Sequence, residues 1–208
     1  MYIPAAFAMT DRAVLAAFIR QHSFGLLIST EGGEPFATHL PLLFDPATGP
    51  NGTLRGHLAR SNPHARMLAG RSVLAVFSGP HAYVSPTWYQ AADTVPTWNY
   101  VAVHAYGVCE VIEDADQILP VLADTVATYE AGMPAPWQFH PEDAHSRALA
   151  AGVVGVRIPV DRLEGKWKLN QNHPPDRQAR VATELERSTD PSAREVAALM
   201  RANLGRQS

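Results

Sequence analysis

Two short runs hold the residue types best suited to gripping a ligand. They are Val95-Pro96-Thr97-Trp98-Asn99-Tyr100-Val101 and Lys166-Trp167-Lys168-Leu169-Asn170-Gln171-Asn172. Each sets rings, amides or lysines at the edge of a predicted strand, although Asn, Gln and Lys are poor strand formers and poor core residues. Polar side chains gathered round tryptophan suit a flat ligand with a polar rim. Metal and nucleophilic chemistry fit the chain less well. The nine histidines are dispersed, with no HExxH and no His/Cys pair at zinc spacing. Nor is there a GxGxxG, a GxxxxGK[ST] or a GxSxG, which disfavours the dinucleotide fold, the P-loop and the hydrolase elbow.

A third run, Gly56-His57-Leu58-Ala59-Arg60-Ser61-Asn62-Pro63-His64, passes from a predicted strand into a predicted helix start. Free N–H groups and the helix dipole favour an anion there, and Arg60 adds a charge able to hold phosphate in a bidentate grip. Arg66 is within reach of the same anion; a plain capped helix with solvated arginines is the competing reading. Thr38 and His39 lie on the strand before it, where alternation puts Thr38 and Leu40 on one face and His39 and Pro41 on the other. Either histidine taken alone reads as a half-buried ring bonded to a carbonyl. Trp88, Tyr89, Trp98 and Tyr100 form an aromatic group that either stacks on a ligand or fills the mouth of a barrel. In the last run, alternation groups Lys166, Lys168, Asn170 and Asn172 opposite Trp167, Leu169 and Gln171; an edge strand guarded by lysines is its plain alternative. Cys109 reads as a small core residue.

The elements that must position these runs follow from periodicity and turn chemistry. Thr10 is the expected cap of a helix over Asp11 to Gln21, with Val14, Leu15, Phe18 and Ile19 as its buried stripe. Phe24 to Thr30 and Pro35 to Phe44 form a hairpin about Glu31-Gly32-Gly33-Glu34. Thr53 to Leu58 is the third strand, followed by a helix opening at Asn62-Pro63 and ending near Gly70. Strands are expected at Ser72 to Ser78, Ala82 to Val84 and Asn99 to Ile112, and over Val153 to Pro159 continuing through Leu163 to Leu169. Ser85 to Thr97 and Gly132 to His145 read as irregular. A helix reaches from Glu113–Asp116 to Glu130 with Pro120 inside it, and two more occupy Arg177 to Arg187 and Pro191 to Leu204. Many strands with helices at the ends make an antiparallel barrel flanked by helices, a mainly β, α+β architecture.

At 208 residues with 46% apolar side chains, the chain is long enough for one domain with a sizeable core. A net charge of -3 argues against a general nucleic-acid binder. The single cysteine precludes an internal disulfide and points to a reducing cytoplasm. The first residues lack the charged start and apolar run of a secretory leader, and no run approaches the ~20 residues of a membrane span.

Together these segments resemble the PaiB-like family of FMN-binding split-barrel proteins, some of them described as negative transcriptional regulators. The residues carrying the resemblance are Ala37-Thr38-His39-Leu40-Pro41, Gly56 to Pro63, Tyr83-Val84-Ser85-Pro86-Thr87-Trp88-Tyr89, Val95 to Tyr100 and Lys166 to Asn172, in that order along nearly the whole chain. The family usually has Ala where Ser61 stands, and Phe and Ser where Trp167 and Asn170 stand. The resemblance implies an antiparallel split β-barrel like that of pyridoxamine-phosphate oxidases, spanning 1–175, with a helical appendage at 176–208. It also implies a homodimer with FMN sites across the subunit interface. The implied FMN-binding residues are Thr38, His39, Leu40, His57, Ala59, Arg60, Ser61, Asn62, Trp98, Asn99, Lys168, Gln171 and Asn172, and no metal ligand is among them. A lysine beside such a ring would stabilise negative charge gained on reduction. No catalytic acid or base is assigned.

Three functions share this architecture. The leading one is an FMN-binding protein acting as a flavin oxidoreductase, with a small redox partner, or as a flavin-dependent regulator. The second is a transcription factor binding DNA directly; the tail from Asp176 to Ser208 disfavours it, with six arginines against five acidic residues. The third is a haem-binding or haem-degrading protein using His39, His57 or His173.

Overall fold

The computed structural model describes residues 1–205. The chain divides into two compact units. One gathers Met1–Leu15, Ser78–Val103 and Glu164–Ser208, and the other Ala16–Phe77 and His104–Leu163. The last three residues of the expected C-terminal appendage, 206–208, lie outside the described residues.

In the second unit the sheet begins with β2 (Phe24–Glu31) and β3 (Glu34–Asp45). Their hairpin closes at the Glu31↔Glu34 pair, where Gly32 and Gly33 take φ of +59° and +89°. Only glycine adopts two such residues in succession without strain, which is the two-residue turn the sequence predicts. Strand β4 (Thr53–Ala59) pairs with β3, Leu42 facing Gly56, and with β8 (Val153–Lys168), His57 facing Gly155. Strand β5 (Ser72–Val84) joins the other side of β2 with Leu26 opposite Val76. Strand β6 (Thr97–Val108) pairs with both β5 and β8, so the path of pairings closes on itself. A three-residue strand, β7 (Glu110–Ile112), adds to β8. The pairings of β1 and β7 with β8, β2 with β3 and β5, and β4 with β3 and β8 are antiparallel, and the expected antiparallel sheet with flanking helices is the architecture found.

Alternation along these strands sends Leu27, Leu42, Leu54, Val156, Ile158 and Phe77 into the core, all essentially inaccessible. Each such side chain contributes about 1.5–3 kcal/mol by leaving water. The helix α3 (Ala115–Glu130) covers β4 with Ile118, Leu119 and Val121 buried. Asp114 accepts from the Asp116 N–H at 2.9 Å, which caps it. Cys109 interrupts the long strand expected over 99–112. Burial, with Glu110 beside it, pushes its thiol up to about 12, so it is an inert core group.

The first unit carries β1 (Ala8–Met9), paired to β8 with Ala8 opposite Lys166. It also holds 3-10 turns over Ala5–Phe7 and Pro86–Tyr89. Two C-terminal helices, here α5 (Pro175–Glu186) and α6 (Pro191–Leu204), pack on each other through Val181, Leu185, Val196 and Met200. The Arg180 Nε donates to the Tyr89 carbonyl at 3.2 Å, tying α5 to that turn. Among the described residues no helix is long and apolar enough to cross a membrane.

Three expectations shift. The cap of α1 (Arg12–Gln21) is Asp11, whose carboxylate accepts from the Ala13 and Val14 N–H groups at 2.8 and 3.2 Å, rather than Thr10. A helix α4 (Ala144–Ala150) occupies residues read partly as loop. The helix expected from Asn62 to near Gly70 is the one-turn α2 (His64–Met67).

Candidate functional site

The residues singled out from the sequence fall into two groups, one in each unit. In the second unit two of them, Thr38 and Asn62, meet at His64, which is fully buried. Its Nδ1 lies 2.8 Å from Thr38 Oγ1 and its Nε2 lies 2.9 Å from Ser29 Oγ. Asn62 Nδ2 donates to Thr38 Oγ1 at 3.3 Å, while Asn62 Oδ1 accepts the His64 backbone N–H at 2.9 Å. The Thr38 and Ser29 hydroxyls can each donate or accept, so either tautomer of the neutral imidazole is satisfied at both ring nitrogens. Thr38 and Asn62 thus hold the loop before α2 to the β2–β3 hairpin. Neither Ser29 nor this network was evident from sequence; only the spacing of His64 after Asn62-Pro63 hinted at it.

Burial keeps the His64 ring below its ordinary range of protonation. The unfolded chain therefore takes up the proton first, near pH 6.5. The stability due to this ring is complete above that pH and is lost as pH falls through its lower folded value. His57 and His104 of the same unit shift in the same direction, also through burial. Melting temperature is expected to fall on acidification from pH 6.5 to 5, each proton contributing at most about 1.4 kcal/mol per pH unit. In His64→Gln that slope should be shallower. An unchanged slope would show that His64 is not among the groups titrating.

Arg60 has a different task from the phosphate grip read in the sequence. Its Nε donates to the Ala151 carbonyl at 3.0 Å, and Nη2 to the Val153 and Glu113 carbonyls at 3.1 and 3.3 Å. Glu113 Oε2 lies 4.0 Å from Nη1. The guanidinium clamps the loops flanking α3 and β8. With one turn of α2, and its His64 N–H already taken by Asn62, little helix dipole is available for an anion. His39 is exposed and stacks on Phe24 at 6.1 Å, Leu40 is buried, and Ala59 and Ser61 are exposed. His57 is half-buried with its Nδ1 enclosed and unpartnered.

In the first unit Trp98 stands at the start of β6 with half its surface exposed. The Tyr83 ring meets it edge-on at 6.1 Å and the His81 ring is tilted at 6.0 Å. These rings wall a groove of about 450 Å³ whose other side is Leu185, Ser188 and Asp190 at the ends of α5 and α6. That is within the usual size of a small-molecule site. Ser192 fixes the wall by accepting from the His81 N–H and donating to the His81 carbonyl, both at 2.8 Å. Lys168 Nζ donates to Thr97 Oγ1 and to the Trp98 carbonyl, each at 2.5 Å, so an ammonium is anchored to the backbone of Trp98 itself. Burial, and then neighbouring Lys166, lower the affinity of Lys168 for its proton.

Asn99, expected beside Trp98, points the other way. It is completely buried, donates Nδ2 to Met200 Sδ at 3.4 Å, and leaves Oδ1 unpartnered. Strand alternation makes this unavoidable, since adjacent residues of β6 face opposite sides. The alternation read over 166–172 holds only to Lys168. Asn170 takes a left-handed φ of +67°, and Gln171 folds back, accepting from Leu169 N at 2.7 Å and donating to the Trp167 carbonyl at 2.6 Å. Gln171 therefore closes the end of β8, and Asn172 is exposed. Tyr89, with 1% exposure, is core.

The donor set suits a flavin. Within the first unit an exposed indole and its neighbouring rings offer a flat apolar face, and Lys168 offers a cation. Among the described residues no group of three or more His, Cys, Asp or Glu is placed to hold a metal ion.

Comparison with known proteins agrees. The chain is 36% identical over its full length, and the full length of the relative, to the protease synthase and sporulation protein PAI 2 of Bacillus subtilis (strain 168). Among solved structures it is similar to the FAD- and haem-binding protein of Mycobacterium smegmatis, at a TM-score of 0.60 and 17% identity, covering 82% of this chain and 78% of that one. It is also similar to the flavocytochrome Anf3 of Azotobacter vinelandii, at a TM-score of 0.59 and 17% identity, covering 77% and 69%. At such identities the likeness is one of fold. Residues 1–162 match the family described as "Putative FMN-binding domain", and the chain belongs to that family.

Proposed function

We propose that this chain is an FMN-dependent redox protein that works as a homodimer and exchanges electrons with a small molecule. One observation carries the reading: an exposed indole walls a ligand-sized groove while its own carbonyl anchors an ammonium group. FMN, when bound, supplies hydride and one-electron transfer. The chain's part is to hold and orient it. Trp98 offers a stacking face, and Lys168 Nζ is fixed beside it by the Thr97 hydroxyl and the Trp98 carbonyl. The two carboxylates of the groove are engaged, Glu184 with Arg187 at 2.7 Å and Asp190 with the Ser192 N–H at 2.9 Å. A redox role that leaves the chemistry to the cofactor fits that arrangement.

Exposed Tyr2, Val95 and Trp98 favour a partner subunit over these apolar surfaces. A mass near one chain by light scattering would contradict the dimer. A single buried thiol suits the cytoplasm.

A regulatory role is supported by the name of the Bacillus relative, which links that protein to protease synthesis and sporulation. The near-balanced charge of the C-terminal helices speaks for an effect on transcription without strong direct contact with DNA. The haem reading draws on the unpartnered, half-buried His57. The visible spectrum of the purified protein separates them: flavin bands, bleached by a nicotinamide or chemical reductant and restored by an acceptor, are expected. A haem band with no flavin would overturn the reading, and a shift of promoter DNA at moderate salt independent of FMN would transfer it to a direct DNA binder.

A further inference from the structure

We infer that Lys166 and Lys168 together form a seat for an oxyanion, a phosphate or carboxylate group, on the face of β8 that carries them both. Residues two apart on a strand point the same way, roughly 6.6 Å from each other. Lys166 is only 7% exposed. Its Nζ donates to the Tyr2 carbonyl at 3.0 Å and lies 5.5 and 5.1 Å from the Tyr2 and Tyr100 rings. One carbonyl satisfies one of three N–H groups, and the rings stabilise the cation without neutralising it. Lys168 donates to Thr97 Oγ1 and the Trp98 carbonyl, again neutral groups. No carboxylate among the described residues pairs with either ammonium. Glu164, two residues earlier on the same face, is held by the Met1 amine. Two like charges, one of them buried, are thus kept together with nothing opposite. Buried charge is normally paired, since an unpaired ion out of water is costly. A bound anion would supply the missing partner, with the Thr97 hydroxyl alongside.

The anion has two sources. One is the phosphate of FMN itself, which rests on the reading above and takes over the task that Arg60, occupied by carbonyls, does not perform. The other is an acidic group on a separate small substrate. Fluorescence titration of the full chain with FMN and with riboflavin, and calorimetric titration with inorganic phosphate before and after FMN loading, distinguish them.

If FMN is the source, Lys168→Gln weakens FMN by about tenfold or more and leaves riboflavin unchanged, as expected for loss of a charged hydrogen bond. Inorganic phosphate then competes with FMN. If a separate substrate is the source, both flavins bind Lys168→Gln as before, whereas inorganic phosphate binds the FMN-loaded unaltered protein and no longer binds the loaded variant. Lys166→Met should reproduce whichever pattern appears. Lys168→Arg, which keeps the charge, should retain binding and serves if Lys168→Gln fails to fold. Equal losses for FMN and riboflavin, or no phosphate binding together with unchanged FMN affinity, would overturn the seat. The FMN reading fails separately, if the unaltered chain takes inorganic phosphate but neither flavin.

Discussion

Gly107→Ala is expected to lower stability by about 3 kcal/mol or more, a fall in melting temperature of roughly 6–12 °C for a chain of this size. A methyl at residue 107 would lie 2.2 Å from the Pro159 carbonyl oxygen and 2.9 Å from Ile158 Cγ2. Both obstacles belong to β8 in the same unit, and one is backbone. Relief therefore requires β6 and β8 to move apart, which breaks the closing pair of the ring of strands. Gly132→Ala provides the contrast, because nothing lies within 4 Å of its added methyl. Its effect should stay within about 0.5 kcal/mol, as for ordinary surface changes. Thermal or urea unfolding of both variants is the measurement. Equal melting temperatures would show that β6 does not approach β8 as described.

The second large effect is on binding. Trp98→Ala should weaken FMN and riboflavin alike, by about 1–3 kcal/mol if its stacking on the shared ring resembles aromatic stacking on nucleobases, or roughly five- to a hundredfold. With its indole half exposed, Trp98 can be truncated without opening the core. Asn99→Ala should behave oppositely. Asn99 lies beneath Met200 of α6 and away from the groove, so its loss lowers the melting temperature and leaves both flavin affinities unchanged. Phosphate-selective loss at Lys168 together with unselective loss at Trp98 would fix the direction in which the cofactor lies. Full affinity of Trp98→Ala for both flavins would remove the groove from the site.

The strands were legible because alternation and turn chemistry act locally. Gly32 and Gly33 declare their hairpin before any tertiary contact is known. Asp11 and Thr10 show the limit of such signals: both are good caps, and the backbone path chooses between them. The 3-10 turn at Pro86–Tyr89 and the short α4 are too brief to show a period. The site was legible in its aromatic and lysine runs but less so in its orientation. A one-residue difference on a strand reverses the face, which sent Trp98 to the groove and Asn99 to the core. The task of Arg60 was hidden for another reason. Its acceptors at Glu113, Ala151 and Val153 are main-chain carbonyls far along the sequence, and a carbonyl leaves no mark in residue type. The pairing of His64 with Ser29 is similarly non-local and depends on β2 and β3 being in register.

Titration of the purified chain with FMN, followed by quenching of flavin fluorescence, tests most directly that this protein is a flavin carrier. Saturable quenching with a clear endpoint at micromolar protein is expected, with flavin absorbance retained by the protein through gel filtration. Absence of quenching at those concentrations, with the chain folded by circular dichroism, would contradict it.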